Sequence, residues 1–415
     1  MPGNTVDQSA TDLSYWNRRC IPMMSSLLKS CGVYSASDQE AQLRFLQEFV
    51  LPNLGPHPSG SGTQIPCMLT FSGFPLQPSI NLSGSGVAKL RYAFEPLDIL
   101  SGTAADPAAL GPSQRLLAAL VSHLGVWPGW IEAFITAFHP TLEGSRQIQA
   151  KVLEYFQRNL ASSNGEARIQ LPNKQPRLYS CFIAFDLEGP SQAMKVYFNP
   201  KTKEAETGLP SCQYTFQVLR TLERFENSTA VDMLEQFLAE KQSVGSVEQV
   251  GIDCLPESML PSARVKIYVH VMSNSFQTVR DYVTLNGRLK DPVALEGLSK
   301  LREIWHLLLN EPKPIDDEEW EKPVTGYSPM NMQHRLYITY EMKPGNSNPI
   351  VKVYVLAQNY APDDDTIIRN YEQNYSHFGW PWGEDGSYRK IIESALYVII
   401  KATFDDDTVL LTQEF

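Results

Sequence analysis

The eight residues from Arg264 to Val271 alternate without a break between two kinds of side chain. Successive side chains of an extended chain point to opposite sides. Arg264, Lys266, Tyr268 and His270 therefore share one face, and Val265, Ile267, Val269 and Val271 share the other. Lys195-Val196-Tyr197-Phe198 and Lys352-Val353-Tyr354-Val355 repeat the same phase. Strands of this kind need a cover for the apolar face, and they gather cations and phenols on the face that remains.

The sequence supplies covers. Strand-like runs joined by short turns are predicted at 66–72 with 87–94, 177–187 with 192–199, 248–254 with 263–271, 333–341 with 350–357, and 394–403 with 408–414. Amphipathic helical segments precede them, as in Asp38 to Val50, Ser211 to Phe225 with Ala230 to Lys241, and Pro292 to Leu309. Five α-α-β-β units at a period of about 70–80 residues mark a repeated architecture, and hairpin neighbours pair antiparallel. The expected fold class is α+β, with ten antiparallel strands closed into a barrel, which removes the edges. Helices would cover its outside, and the cationic face would line a central, solvent-filled chamber. Stretches 52–64, 100–113 and 310–328 read as loops, and none divides the chain. Residues 1–415 are expected to form a single barrel domain.

That cationic face contrasts with the overall charge. The 415 residues hold 35 Lys and Arg against 46 Asp and Glu, a net charge of −11. Nucleic acid and anionic membrane are poor partners for such a chain, so any bound anion must be held by positive charge concentrated locally. Six cysteines (Cys20, Cys31, Cys67, Cys181, Cys212 and Cys254) show no C-x-x-C spacing and read as neither zinc site nor disulfide framework. The first thirty residues hold no apolar signal segment, and the apolar stretch Ala118 to Phe138 is broken by His123, Gly125, Pro128, Gly129 and Glu132. A cytoplasmic protein with reduced thiols and no membrane span is expected.

Other motifs have structural readings. Asp363-Asp364-Asp365 and Asp405-Asp406-Asp407 read as loop and turn acids, and no histidine pairs with Cys or Glu at a metal-ligand spacing. His270 shares the face of Lys266 but reads as structural rather than catalytic. Leu82-Ser83-Gly84-Ser85-Gly86 lies between two strands and reads as a hairpin turn, not a nucleotide loop. The segment Phe378-Gly379-Trp380-Pro381-Trp382-Gly383 fits a lid or a packed surface loop equally well.

Arg91, Lys195, Arg264, Lys266 and Lys352 in one chamber would repel one another unless a polyanion sat among them. At ~4 Å and an effective dielectric near ~20, each cation–phosphate contact is worth about 4 kcal/mol before desolvation. Tyr197, Tyr268, Tyr354 and Tyr397 add hydroxyl donors, and their electron-rich faces stabilise a nearby cation. Holding an anionic leaving group while shielding a carbocation is the requirement of prenyl diphosphate ionisation. An aromatic co-substrate would then be alkylated away from water.

These residues occur in a recognisable order: Trp16…Pro22-Met23-Met24, Val50-Leu51-Pro52-Asn53-Leu54-Gly55-Pro56, Arg91-Tyr92-Ala93-Phe94-Glu95-Pro96, Ala184-Phe185-Asp186-Leu187, Lys195-Val196-Tyr197, Arg264-x-Lys266-x-Tyr268 and Lys352-x-Tyr354. Over nearly its whole length the chain resembles the fungal indole prenyltransferases of the dimethylallyltryptophan synthase type, whose repeats form the ABBA prenyltransferase barrel. The resemblance implies a dimethylallyl diphosphate co-substrate, or a longer homologue, and no required cofactor or metal. It implies diphosphate binding by Arg91, Lys195, Tyr197, Arg264, Lys266, Tyr268, Lys352, Tyr354 and Tyr397. No Asp-Asp-x-x-Asp motif is present, in keeping with metal-independent chemistry. The implied partners are the prenyl diphosphate and a small aromatic acceptor, in a monomer or homodimer active in secondary metabolism. Where the family usually has a further tyrosine beyond Tyr397, this chain reads Val398-Ile399-Ile400-Lys401.

A second departure bears on the chemistry. Indole-modifying members carry a Glu in a Gly-x-Pro-x-Glu-x-Ser-x-Asn stretch, and this chain reads Gly73-Phe74-Pro75-Leu76-Gln77-Pro78-Ser79-Ile80-Asn81. Gln77 is assigned to acceptor orientation: its amide donates and accepts hydrogen bonds but takes no proton at physiological pH. The expected acceptor is therefore a non-indole aromatic whose proton leaves more easily, to water or to the released diphosphate. The alternatives are an ordinary indole or cyclic-dipeptide prenyltransferase that tolerates Gln77, and a non-catalytic anion-binding barrel.

Overall fold

The computed structural model describes residues 4–58, 67–70, 73–162, 177–241, 247–324, 335–384 and 386–394. Helices α1 (Asn4–Ser30) and α2 (Ala36–Phe45) precede the hairpin β1 (Leu76–Leu82) and β2 (Ala88–Phe94). Helices α3 (Leu110–Leu124), α4 (Gly129–Phe138) and α5 (Leu142–Ser162) precede β3 (Cys181–Glu188) and β4 (Ser191–Phe198). Helices α6 (Pro200–Thr207), α7 (Ser211–Thr221) and α8 (Thr229–Glu240) precede β5 (Val247–Asp253) and β6 (Val265–Val271). Helices α9 (Phe276–Thr284) and α10 (Pro292–Leu308) precede β7 (Leu336–Met342) and β8 (Ile350–Val355), and α11 (Asp364–His377) follows.

The first predicted strand is a correction. Leu76–Leu82, not 66–72, pairs with Ala88–Phe94, and the turn between them is the glycine-containing one expected from sequence, with Gly86 at φ +84°. The described part of 66–72 is irregular. Gly73 N–H donates to Thr70 O at 3.2 Å and the Thr70 hydroxyl to Phe74 O at 2.8 Å, so this apolar-looking run closes on itself as a turn. Helix α3 also begins inside the stretch read as a loop, because the Asp106 carboxylate accepts from Leu110 N and Gly111 N at 2.8 and 2.9 Å. Four helix-and-hairpin groups are present among the described residues. The fifth strand pair lies outside them apart from Ser394, which is helical.

Contacts divide the chain into two compact units. The first holds Met1–Pro128, His139–Tyr197 and Lys390–Phe415; the second holds Gly129–Phe138 and Phe198–Arg389. In the first, β1 pairs antiparallel with β2, β2 with β3 in the register Arg91↔Asp186, and the β3–β4 connection turns at Gly189 (φ +57°). Leu90, Tyr92 and Phe94 with Ile183, Phe185 and Leu187 form the apolar side, all buried. Phe45 of α2 meets Phe185 edge-on at 4.9 Å, covering that side. Tyr34, between α1 and α2, sends its hydroxyl between two strands. It donates to Leu187 O at 3.1 Å and accepts from Leu90 N at 2.9 Å, where the β2–β3 ladder ends.

In the second unit β5, β6, β7 and β8 follow one another as antiparallel neighbours. The register Lys266↔Glu341, Tyr268↔Thr339 and His270↔Tyr337 puts these six side chains on one face. The opposite face carries Val265, Ile267, Val269 and Val271 opposite Met342, Tyr340, Ile338 and Leu336, and every one is fully buried. Each such side chain contributes roughly 1.5–3 kcal/mol relative to exposure. Helices α6 and α7 contact β5, while α9 and α10 contact β8. The Tyr340 hydroxyl donates to Tyr282 O of α9 at 2.9 Å, satisfying the one polar group on that face of β7.

Candidate active site

In the first unit, Arg91 and Lys195 converge on Asp186. Arg91 Nε lies 2.9 Å from Asp186 Oδ1, and Lys195 Nζ lies 2.5 Å from Oδ2. Register explains this, since Arg91 sits directly opposite Asp186 on the neighbouring strand. The Lys195 side chain is 5% exposed, and the carboxylate beside it offsets the cost of burying the ammonium. Tyr197, two residues along β4, shares the face of Lys195 and is half-buried. Gln77 stands on β1 opposite Ala93, one face-sharing position from the Ser79↔Arg91 pair, and is exposed. It can present its amide from the same face as Arg91.

In the second unit three cations surround a buried glutamate. Glu341 is 3% exposed. Lys352 Nζ lies 2.5 Å from its Oε1, Lys266 Nζ 3.6 Å from the same oxygen, and Arg264 Nη1 3.3 Å from Oε2. Burial alone would raise the Glu341 carboxyl, but Lys266, Lys352 and Arg264 outweigh it and hold the group below the usual carboxylate value. Arg264 is also gripped by Asp253, through Nε at 2.6 Å and Nη2 at 3.4 Å. The rings of Tyr268 and Tyr354 lie 6.0 Å apart beside this cluster, on the strands that carry Lys266 and Lys352. His270 lies flat against Tyr337 (4.4 Å, 16°), with Nδ1 3.7 Å from Glu248. Burial lowers the pKa of His270, and the Glu248 carboxylate opposes that shift.

The structure thus brings Arg264, Lys266, Tyr268, Lys352 and Tyr354 together in one unit, and Arg91, Lys195 and Tyr197 in the other. Tyr397 lies outside the described residues. The expectation that the cationic face lines a solvent-filled chamber needs correction at two of its cations, since Lys195 and Lys266 are buried at 4% and 6% exposure. The sequence reading also missed the residues that settle the repulsion between these cations. Asp186, Asp253 and Glu341 do so; strand phase puts each on the cationic face, but only register sets Asp186 opposite Arg91 and Glu341 opposite Lys266. Among the described residues no three His, Cys, Asp or Glu side chains are gathered as for a metal ion, and no helix is long and apolar enough to cross a membrane.

Compared with known protein families, residues 12–390 match the tryptophan dimethylallyltransferase family. The chain is 60% identical over 390 residues to the multi-functional prenyltransferase ltmE of Epichloe festucae var. lolii. That match covers 94% of this chain but 49% of the relative, so the chain spans about half its length. It is 42% identical over 388 residues to the indole diterpene prenyltransferase terF of Tolypocladium album, covering 94% of this chain and 87% of that protein. Among solved structures, AnaPT from Neosartorya fischeri matches with a TM-score of 0.71 at 22% identity, over 92% of this chain and 84% of that one. NotF in complex with brevianamide F and DMSPP matches with a TM-score of 0.72 at 21% identity, over 95% and 87%. At such identities the likeness is one of fold, the α+β ABBA prenyltransferase fold.

Proposed function

Because the chain belongs to the tryptophan dimethylallyltransferase family of aromatic prenyltransferases, we propose that it moves a dimethylallyl or longer prenyl group from its diphosphate onto an aromatic ring. The observation that carries this reading is the cluster of Arg264, Lys266 and Lys352 beside the Tyr268–Tyr354 ring pair. The three cations bind the diphosphate and stabilise the charge that grows on it as the allylic C–O bond ionises and the bonding pair leaves with the diphosphate. The tyrosine rings shield the allyl cation. The aromatic ring forms the new bond to the allyl carbon and then loses a proton. Arg91, Lys195 and Tyr197 are assigned to the same donor by their resemblance to the family pattern.

We favour an indole-bearing terpenoid as acceptor over a phenol, since the similar protein terF is named an indole diterpene prenyltransferase. Gln77 then accepts a hydrogen bond from the indole N–H through its carbonyl, and the departing diphosphate or water takes the proton. Fixed cations supply the charge that a divalent ion would otherwise bring, so the reaction proceeds in EDTA. Six free thiols suit the reducing cytosol.

Incubation with dimethylallyl diphosphate, EDTA and a panel of indole diterpenes, simple indoles and phenols tests the reading. A prenylated indole diterpene is the expected product, and Lys266→Ala raises the KM for the donor at least about tenfold. No diphosphate release with any acceptor would sink the enzyme reading. An unchanged donor KM in Lys266→Ala would place the donor elsewhere.

A further inference from the structure

Glu341 is an anion built into the middle of a surface assigned to binding anions. It touches all three cations of this cluster, Arg264, Lys266 and Lys352, whereas Asp253 touches Arg264. Three cations against two carboxylates leave one net positive charge to meet a diphosphate.

We propose that Glu341 is a positioning residue that acts as an internal counter-anion, competing with diphosphate for Arg264, Lys266 and Lys352 and so setting how readily the diphosphate product departs. The inference rests on the reading of this cluster as the donor site.

Geometry separates competition from simple scaffolding. Arg264 is held independently by two contacts to Asp253. Lys266 is fixed by its strand, lying in register between Gly251 on β5 and Glu341 on β7, and its side chain is 7% exposed. Neither position depends on Glu341 alone. Lys352 is 44% exposed, so its ammonium is accessible to an incoming phosphate while paired with Glu341. Removing the carboxylate charge therefore changes the field more than the framework. Three cations against one carboxylate attract an anion more strongly, and partly buried charges are screened little by salt.

The test uses inorganic diphosphate with the full chain, by titration calorimetry and by competition against the prenyl donor. Glu341→Gln, which keeps the shape and loses the charge, is expected to bind diphosphate about tenfold or more tightly than the parent. The product-inhibition constant should fall in step, and kcat should drop as release slows. Glu341→Asp, which keeps the charge, should restore parental affinity. Asp253→Asn should tighten diphosphate in the same direction by a smaller factor, and it decides the matter if Glu341→Gln does not fold. Equal or weaker diphosphate binding in the Gln variant, or in Asp253→Asn should that variant stand in, overturns the proposal. A parent protein that binds no diphosphate overturns it together with the reading of the site. A parent that binds while the neutral variants bind no better overturns this inference alone.

Discussion

In the first unit one carboxylate, Asp186, serves both Arg91 and Lys195, whereas in the second Glu341 and Asp253 divide three cations between them. Each cluster keeps one net positive charge, but they differ in redundancy. Among the described residues, Arg264 has two carboxylate anchors, whereas Arg91 and Lys195 share one. A single carboxylate holding two cations is a framework element, while one of two carboxylates around three cations is free to tune affinity.

The largest predicted effect follows from that asymmetry. Asp186→Asn strands the buried Lys195 ammonium, which costs about 3 kcal/mol of stability when one partner of a buried pair is removed. A denaturant titration reads that loss, and kcat/KM for the donor should fall at least about a hundredfold. If Asp186→Asn instead tightened diphosphate binding, as Glu341→Gln is expected to do, the contrast between the clusters would be broken.

Within the second unit, burial should rank the lysines. Lys266→Ala is expected to raise the donor KM more than Lys352→Ala, since Lys266 is 7% exposed and Lys352 44%. Equal effects would show that exposure does not set their worth.

The pH dependence of stability sharpens the comparison further. The folded-state pKa of Glu341 lies below its ordinary value, so its contribution is present above that ordinary value and is lost as pH falls through the lowered one. Glu341→Gln should be less stable than the parent by about 2 kcal/mol near neutrality. The gap should close on acidification, and only below the usual glutamate range. A gap that persists at the acid end would assign the loss to packing.

The smallest effect belongs to Gln77→Glu. Gln77 is exposed on β1, so stability should stay within about 0.5 kcal/mol. The acceptor preference and the pH–rate profile should change, because a carboxylate accepts a proton that the amide does not. An unchanged profile would remove Gln77 from acceptor binding.

Much of this arrangement was legible in the chain. The alternation from Arg264 to Val271 placed Lys266, Tyr268 and the apolar valines on the faces they occupy, because period two leaves a strand no other choice once one face is buried. The position of β1 was not legible. Pro75 and Pro78 interrupt the apolar alternation of Leu76, Ile80 and Leu82, whereas Met68-Leu69-Thr70 looks extended but is closed by Gly73 at φ +77°. The carboxylates escaped for a different reason. A lone Asp186 or Glu341 in a strand reads as an ordinary polar position until register sets it opposite Arg91 or Lys266. Sequence yields the phase of each strand but not the alignment between strands, and ion pairing is a property of alignment.

Tyr34 adds a last consequence. A hydroxyl rather than water takes over the ladder where β2 and β3 part, immediately beside the Arg91↔Asp186 rung. Strand ends ordinarily fray, and a frayed rung would let the guanidinium drift. Stapled from the helical side by a buried phenol, this rung opens only when the tyrosine withdraws. Amide hydrogen exchange at Leu90 therefore reports on the steadiness of the cationic cluster, and Tyr34→Phe should loosen it without touching a single charge.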